Sequence, residues 1–125
     1  MDSILKPLLA TLLAAGLASP AMAADPASGA RVFQGQCSVC HSAARSGPAG
    51  IGPRLFGVVG RKAGAQAGYN YSQAMKNSGI TWTIADLKRY ISSPSGTVRG
   101  NKMPYAGLHN AQQLDDLVAY LVGLH

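Results

Sequence analysis

Cys37-Ser38-Val39-Cys40-His41 is the stretch on which the reading of this chain turns. Two thiols separated by two residues, with an imidazole immediately after the second, have the spacing of a c-type haem attachment site. The thiols are placed to add across the two vinyl groups of one haem and form thioether bonds. The imidazole of His41 is placed to ligate the iron. Iron held in this way carries one-electron chemistry that side chains alone do not supply. Cys37 and Cys40 are the only two cysteines in the chain. A disulfide between them would close too small a loop to stabilise much. A thioredoxin-type redox pair needs a βαβ setting that the surrounding pattern does not offer. Zinc needs further ligands, and the other histidines are His109 and His125 alone.

Working outward from the motif, helix signals dominate. Asp25 is a helix cap with Pro26 in the first turn, and Val32 and Phe33 supply an apolar stripe. The first helix is expected from Pro26 to about Val39, delivering the haem site at its end. A Gly- and Pro-rich loop follows from Ser42 to Gly68; its length makes sense if it wraps a cofactor. Ser72 caps a short helix through Asn77 that Gly79 ends. Thr83 caps another, with Asp86 three residues on, running to about Ser92 and stopping before Pro94. A second loop spans Ser95 to Gly107. Asn110 caps a last helix over Ala111 to Val122, whose apolar face is Leu114, Leu117, Val118 and Leu121. No strand alternation or repeat is present. The class is all-α, a few helices joined by long loops.

The length of 125 residues suits one domain. A short charged start with Asp2 and Lys6 leads into an apolar run from Pro7 to Ala18, and then Ala21-Met22-Ala23. This is the layout of a secretory signal peptide. The run falls short of the roughly 20 residues that span a bilayer. Residues 1–23 are therefore expected to be cleaved, leaving a domain of residues 24–125 without a membrane anchor. The chain carries a net charge of +6. Cleavage removes one acid and one base and leaves that balance unchanged. A basic surface points to acidic protein partners or an anionic membrane surface. The dispersed cations and the lack of a binding motif argue against nucleic acid.

The second axial position decides between electron transfer and open-site chemistry. The candidates are Met75, Met103, His109, His125 or no protein ligand. Met75 sits in a helical segment, where core packing is the ordinary role. His109 precedes the last helix, and His125 is the final residue. Met103 lies in a loop between Lys102 and Pro104, far in sequence from His41. Such a loop can arch over a flat cofactor, so spacing favours Met103, although gap-filling is the commoner fate of a methionine.

The chain resembles class I cytochromes c, namely mitochondrial cytochrome c and its soluble bacterial relatives. The resemblance rests on CSVCH (37–41), GPRLFGVVGRKAG (52–64), YNYSQAMKNSGITWT (69–83), Tyr90 with Pro94, and GNKMPYAGL (100–108). It implies the cytochrome c fold, three to five helices with long loops wrapped around one covalent haem. It implies haem c bound through Cys37 and Cys40, with His41 as proximal and Met103 as distal ligand. The Pro53 carbonyl would accept the other ring N–H of His41. Tyr90 would point its hydroxyl toward the methionine sulfur. Arg61, Tyr71 and Trp82 would surround a buried propionate, and Phe33 would meet Tyr120 between the first and last helices. The family attaches its haem outside the cytoplasm, which places the protein in the periplasm.

There are also departures from the family pattern. Met75 stands where the mitochondrial type has asparagine, Tyr105 stands where phenylalanine is usual, and Gln36, Ser95 and Gly96 stand in places of lysines that ring the haem edge in the mitochondrial type. Arg31, Arg99 and Lys102 remain as a reduced basic docking face. The expected function is a monomeric periplasmic electron carrier that meets transient redox partners with acidic docking faces. The rivals are a haem enzyme or sensor with a labile distal methionine, and a dedicated subunit of one oxidoreductase.

Overall fold

The computed structural model describes residues 12–17 and 22–125. Residues 1–11 and 18–21, most of the expected signal peptide, lie outside the described residues. Among the described residues no helix is long and apolar enough to cross a membrane.

The architecture is all-α. Helices α1 (Pro26–Gln36), α2 (Gln73–Lys76), α3 (Ile84–Ser92), α4 (Pro94–Thr97) and α5 (Ala111–Val122) follow one another, separated by irregular chain. The starts of α1, α2, α3 and α5 are set by local side chains. Asp25 accepts from the Ala27 N–H at 3.0 Å. Ser72 accepts from Met75 at 3.1 Å, and Asn110 from Gln113 at 2.9 Å. At α3 the Thr83 hydroxyl accepts from the Asp86 N–H at 3.1 Å and donates to the Asp86 carboxylate at 3.0 Å. Each cap satisfies a backbone donor that the helix itself leaves unpaired.

Helix α3 stops at Ser92, before Pro94, as expected; the end of α1 and the start of the loop after α3 differ from the expectation. Helix α1 ends at Gln36 rather than near Val39, because the N–H groups of Cys37 and Ser38 both bond to the Phe33 carbonyl, at 2.8 and 2.9 Å. That shared acceptor closes the helix, and residues 37–40 form a separate turn. Pro94 does not simply end α3. It opens α4 as its first residue, where a missing N–H costs nothing.

The frame is the crossing of α1 and α5. Gly29 lies where the helices touch: a Cβ there would sit 1.9 Å from the Asp116 carbonyl oxygen. One turn on, Phe33 and Tyr120 meet with ring centroids 5.4 Å apart. At the open end of α1, the Asp25 N–H donates to the buried Asp116 carboxylate at 2.8 Å. Helix α3 joins α5 through Lys88 and Asp115, 2.8 Å apart. That pair is half-exposed and contributes little; Leu87 and Tyr90 of α3, packed with Leu117, Val118 and Leu121 of α5, do the holding. The loop from Val58 to Ala63 is fastened to the entry of α3 by an isolated bridge, with Trp82 N–H on the Arg61 carbonyl at 2.9 Å and Gly60 N–H on the Trp82 carbonyl at 2.8 Å. Arg61 and Trp82 are thereby held side by side.

Gly29→Ala is expected to cost more than about 3 kcal/mol, since backbone faces backbone and neither helix can give. Gly35→Ala, with nothing within 4 Å of a new Cβ, is expected to gain about 0.5 kcal/mol from helix propensity. Urea midpoints of the two variants at unchanged slope check both values.

Candidate haem site

The turn after α1 presents the motif. The N–H groups of Cys40 and His41 both return to the Cys37 carbonyl, at 3.1 and 2.9 Å. This folds the two sulfurs and the imidazole onto one side. All three line a cavity of about 250 Å³ that opens to the surface. Cys37 and Cys40 are not joined to each other. Burial, and then the neighbouring Cys40, pushes the Cys37 thiol up to about 11, so it is a neutral thiol at neutral pH.

His41 is fixed from behind. Its Nδ1 lies 2.7 Å from the Pro53 carbonyl oxygen. With the proton on Nδ1, Nε2 keeps its lone pair, the form in which imidazole binds a metal. Burial, the largest influence, holds the ring below the ordinary histidine range, opposed by the bond to Pro53. Burial therefore favours the neutral ligand form. Gly52 makes room for this ring: a Cβ there would come within 2.4 Å of His41 Cε1. The segment carrying Gly52 is itself tied to the motif, its N–H donating to the Cys40 carbonyl at 2.8 Å.

Of the candidates for the second axial position, Met75 and Met103 line the cavity, and His109 and His125 do not. Met75 is buried within α2. Met103 is half-buried in the irregular segment before α5. Its N–H donates to Asn101 Oδ1 at 2.8 Å, and the Asn101 amide donates to the Val98 carbonyl at 2.9 Å. The Tyr90 hydroxyl also donates to Asn101 Oδ1, at 3.3 Å. This departs from the expectation of a hydroxyl aimed at the methionine sulfur: Tyr90 reaches Met103 through Asn101. Burial, and then Tyr69, pushes Tyr90 up to about 12, so it remains a donor at physiological pH. Asn101 is the residue that sequence reasoning missed. A short amide two residues before Met103 is the kind of side chain that bonds its own turn, and that was its only signal.

Arg61, Tyr71 and Trp82 line the same cavity. Arg61 is half-buried and spends two of its donors on the carbonyls of Arg54 and Phe56, at 2.9 and 3.3 Å. A guanidinium anchored in this way meets the need of a buried carboxylate for a cation. The cavity thus joins two thiols, an imidazole with a free Nε2, thioethers, an apolar wall and one fixed cation. These residues fit a covalently attached haem with its propionate at Arg61.

The sequence model of the Cytochrome c family matches residues 26–125. The chain belongs to the cytochrome c family. It is similar to cytochrome c2 of Rhodomicrobium vannielii, 45% identical over 108 residues, 86% of each chain. It is similar also to cytochrome c2 of Blastochloris viridis, 46% identical over 110 residues, 88% of this chain and 85% of that one. Among solved structures, cytochrome cH from Methylobacterium extorquens superposes with a TM-score of 0.73 at 42% identity, covering 78% of this chain and 97% of its own. This cytochrome c accordingly binds haem c covalently, Cys37 and Cys40 fitting the attachment motif, and it is an electron carrier and not an enzyme.

Proposed function

We propose that this cytochrome c is a periplasmic single-electron shuttle with His41 and Met103 as the axial ligands, docking on acidic faces of its redox partners. The observation that carries the ligand assignment is the placement of Met103: it lines the cavity that His41 lines, on a loop pinned by Asn101 at 2.8 Å. Met75, buried in a helical turn, is a wall residue.

The haem supplies one-electron chemistry, at a potential that thioether ligation raises over bis-imidazole ligation. The chain does the rest. Pro53 holds the His41 ring and its tautomer. Asn101 holds the backbone of Met103. Ligands fixed from behind keep their places when charge changes, which keeps the reorganisation on electron transfer small. Cys37 and Cys40 keep the group in place between encounters. Arg61, with Tyr71 and Trp82 beside it, holds the propionate charge inside the fold.

The face offered to partners follows from the side chains at the cavity mouth. Val39 and Ile51 line the cavity and are 79% and 65% exposed. They provide an apolar contact that a brief encounter can make and break. Within residues 24–125 the acids are Asp25, Asp86, Asp115 and Asp116, all on α1's cap, α3 or α5. The loops that build the cavity carry only cations, among them Arg45, Arg54, Arg61, Lys62 and Lys102. Such a one-signed face attracts acidic partners over long range.

Met103→Ala is expected to retain covalent haem while losing the methionine-to-iron charge-transfer band of the oxidised protein, lowering its potential and gaining peroxidase activity. Met75→Leu should keep the band. Loss of the band in Met75→Leu alone would transfer the assignment to Met75. The rate of electron transfer to an acidic-faced redox protein should fall on the order of tenfold between about 0.01 and 0.2 M salt in stopped-flow measurements; a rate that rises with salt contradicts the docking charge. Export is checked by the mass of the periplasmic holoprotein, which should correspond to a chain beginning at Ala24.

A further inference from the structure

We propose that Tyr105 and Gln36 form a latch that fastens the Met103 loop to α1 across the cavity mouth, and that this latch sets how readily outside ligands reach the iron. The gating half of this proposal rests on Met103 as the distal ligand.

The Tyr105 hydroxyl donates to Gln36 Oε1 at 2.6 Å, between residues 69 apart in sequence. Each end of this bond adjoins a residue that holds the haem. Gln36 is the last residue of α1 and immediately precedes Cys37. Tyr105 follows Met103 by two residues, and its N–H donates to the Met103 carbonyl at 2.9 Å. Displacement of Tyr105 therefore displaces the backbone of Met103. Among the described residues, the Tyr105 hydroxyl makes the only hydrogen bond that leaves the segment 103–107 for another part of the fold.

The latch completes a belt. On the other side of Met103, the Lys102 ammonium donates to the Asn70 carbonyl and lies 4.9 Å from the centre of the Tyr69 ring. Tyr69 in turn donates to the Ile51 carbonyl at 3.1 Å. These three ties link the Met103 loop, the loop before α2 and the loop after His41 around one opening. Without the tie from Tyr105 to Gln36, the Met103 loop keeps its hydrogen bonds at the Lys102 side and at Leu108, whose N–H donates to the Ile91 carbonyl at 3.0 Å, and has only side-chain packing to hold it at the α1 side.

The two residue types are matched to the task. Phenylalanine at 105 would pack but has no hydroxyl to donate. Lysine at 36 would have no acceptor to receive it. By the resemblance, phenylalanine is usual at the first position and lysine stands at the second in the mitochondrial type; in this chain the two departures bond to each other. The bond lies at the rim, where Gln36 is exposed and Tyr105 half-buried. Its loss is therefore expected to raise the population of the open loop about two- to fivefold, the lower part of the range for a neutral hydrogen bond.

The test uses oxidised holoprotein and imidazole as the probe ligand. Tyr105→Phe and Gln36→Leu should each speed imidazole binding about two- to fivefold, and the double variant should be no faster than the quicker single one, because both remove the same bond. Unchanged rates in either single variant, or effects that multiply in the double one, overturn the proposal. Amide exchange in the reduced protein separates the latch from the ligand assignment. Both variants should lose protection in residues 101–107 and keep it in α5; unchanged protection in 101–107 overturns the latch. Absence of the charge-transfer band from the unsubstituted protein overturns Met103 as ligand, and with it the gating half, while the exchange measurement still decides the latch.

Discussion

The fold depends on a wall that serves both the protein core and the cofactor. Of the twelve buried hydrophobic residues among those described, eight also line the cavity: Phe33, Val58, Met75, Trp82, Leu87, Tyr90, Leu117 and Leu121. Helices α1, α3 and α5 thus bury much of their apolar surface on the face that meets the haem. The porphyrin is a large apolar plate, and burying it against these side chains yields the same hydrophobic free energy as burying protein. Such a wall explains how so much irregular chain persists in a small domain. Loops with too little protein to pack on would have that plate to pack on, and their backbone groups find partners both within turns and across the fold, as in the bond from the Gly57 N–H to the Leu124 carbonyl.

The same dependence orders the site. Gly29 lets α1 and α5 approach until backbone meets backbone, which fixes where α1 ends in space. The end of α1 places the turn that carries Cys37, Cys40 and His41. Gly52 and Pro53, returned to that turn by the bond from Gly52 to Cys40, orient the imidazole. Met103 comes from the opposite direction in sequence, placed by Asn101 and Tyr90 of the α3 side. Each ligand candidate is thus positioned by a hydrogen bond to a neighbour that is itself anchored in a helix or turn, which makes the geometry stiff where an electron carrier needs it stiff.

Local features of this arrangement were legible in the sequence pattern itself, and contacts across long separations only where the family resemblance implied them, as for Phe33 and Tyr120. Asp25, Ser72, Thr83 and Asn110 cap helices as read, because a cap is settled within three residues by side-chain length and oxygen placement. The sequence pattern places the end of α1 too late, since no glycine follows the last turn and two N–H groups converge on one carbonyl instead. Pro94 was read as a stop and also starts α4, because proline suits both the residue after one helix and the first residue of the next. Asp116 was invisible as a buried anchor: its partner is the Asp25 N–H, 91 residues away, and no spacing encodes that. The Tyr90 hydroxyl found Asn101 for the same reason. A buried phenol takes the acceptor that packing brings within reach, and an amide oxygen accepts more strongly than a thioether.

The distribution of acids follows from these constraints. Asp25 caps α1 and Asp116 holds its entry; Asp86, in the first turn of α3, accepts from the Thr83 cap and pairs with Arg89, 2.8 Å away; Asp115 joins α5 to α3. Every acid of residues 24–125 is occupied with helix termini or helix contacts, away from the loops. A carboxylate in those loops would lie near the haem propionates, and like charges brought together at low dielectric are costly. The loops therefore favour cations, which balance the propionates inside and leave positive charge outside. On this argument the proposed attraction for acidic partners and the housing of the cofactor have one cause: the anionic edge of the haem excludes acids from the chain that surrounds it.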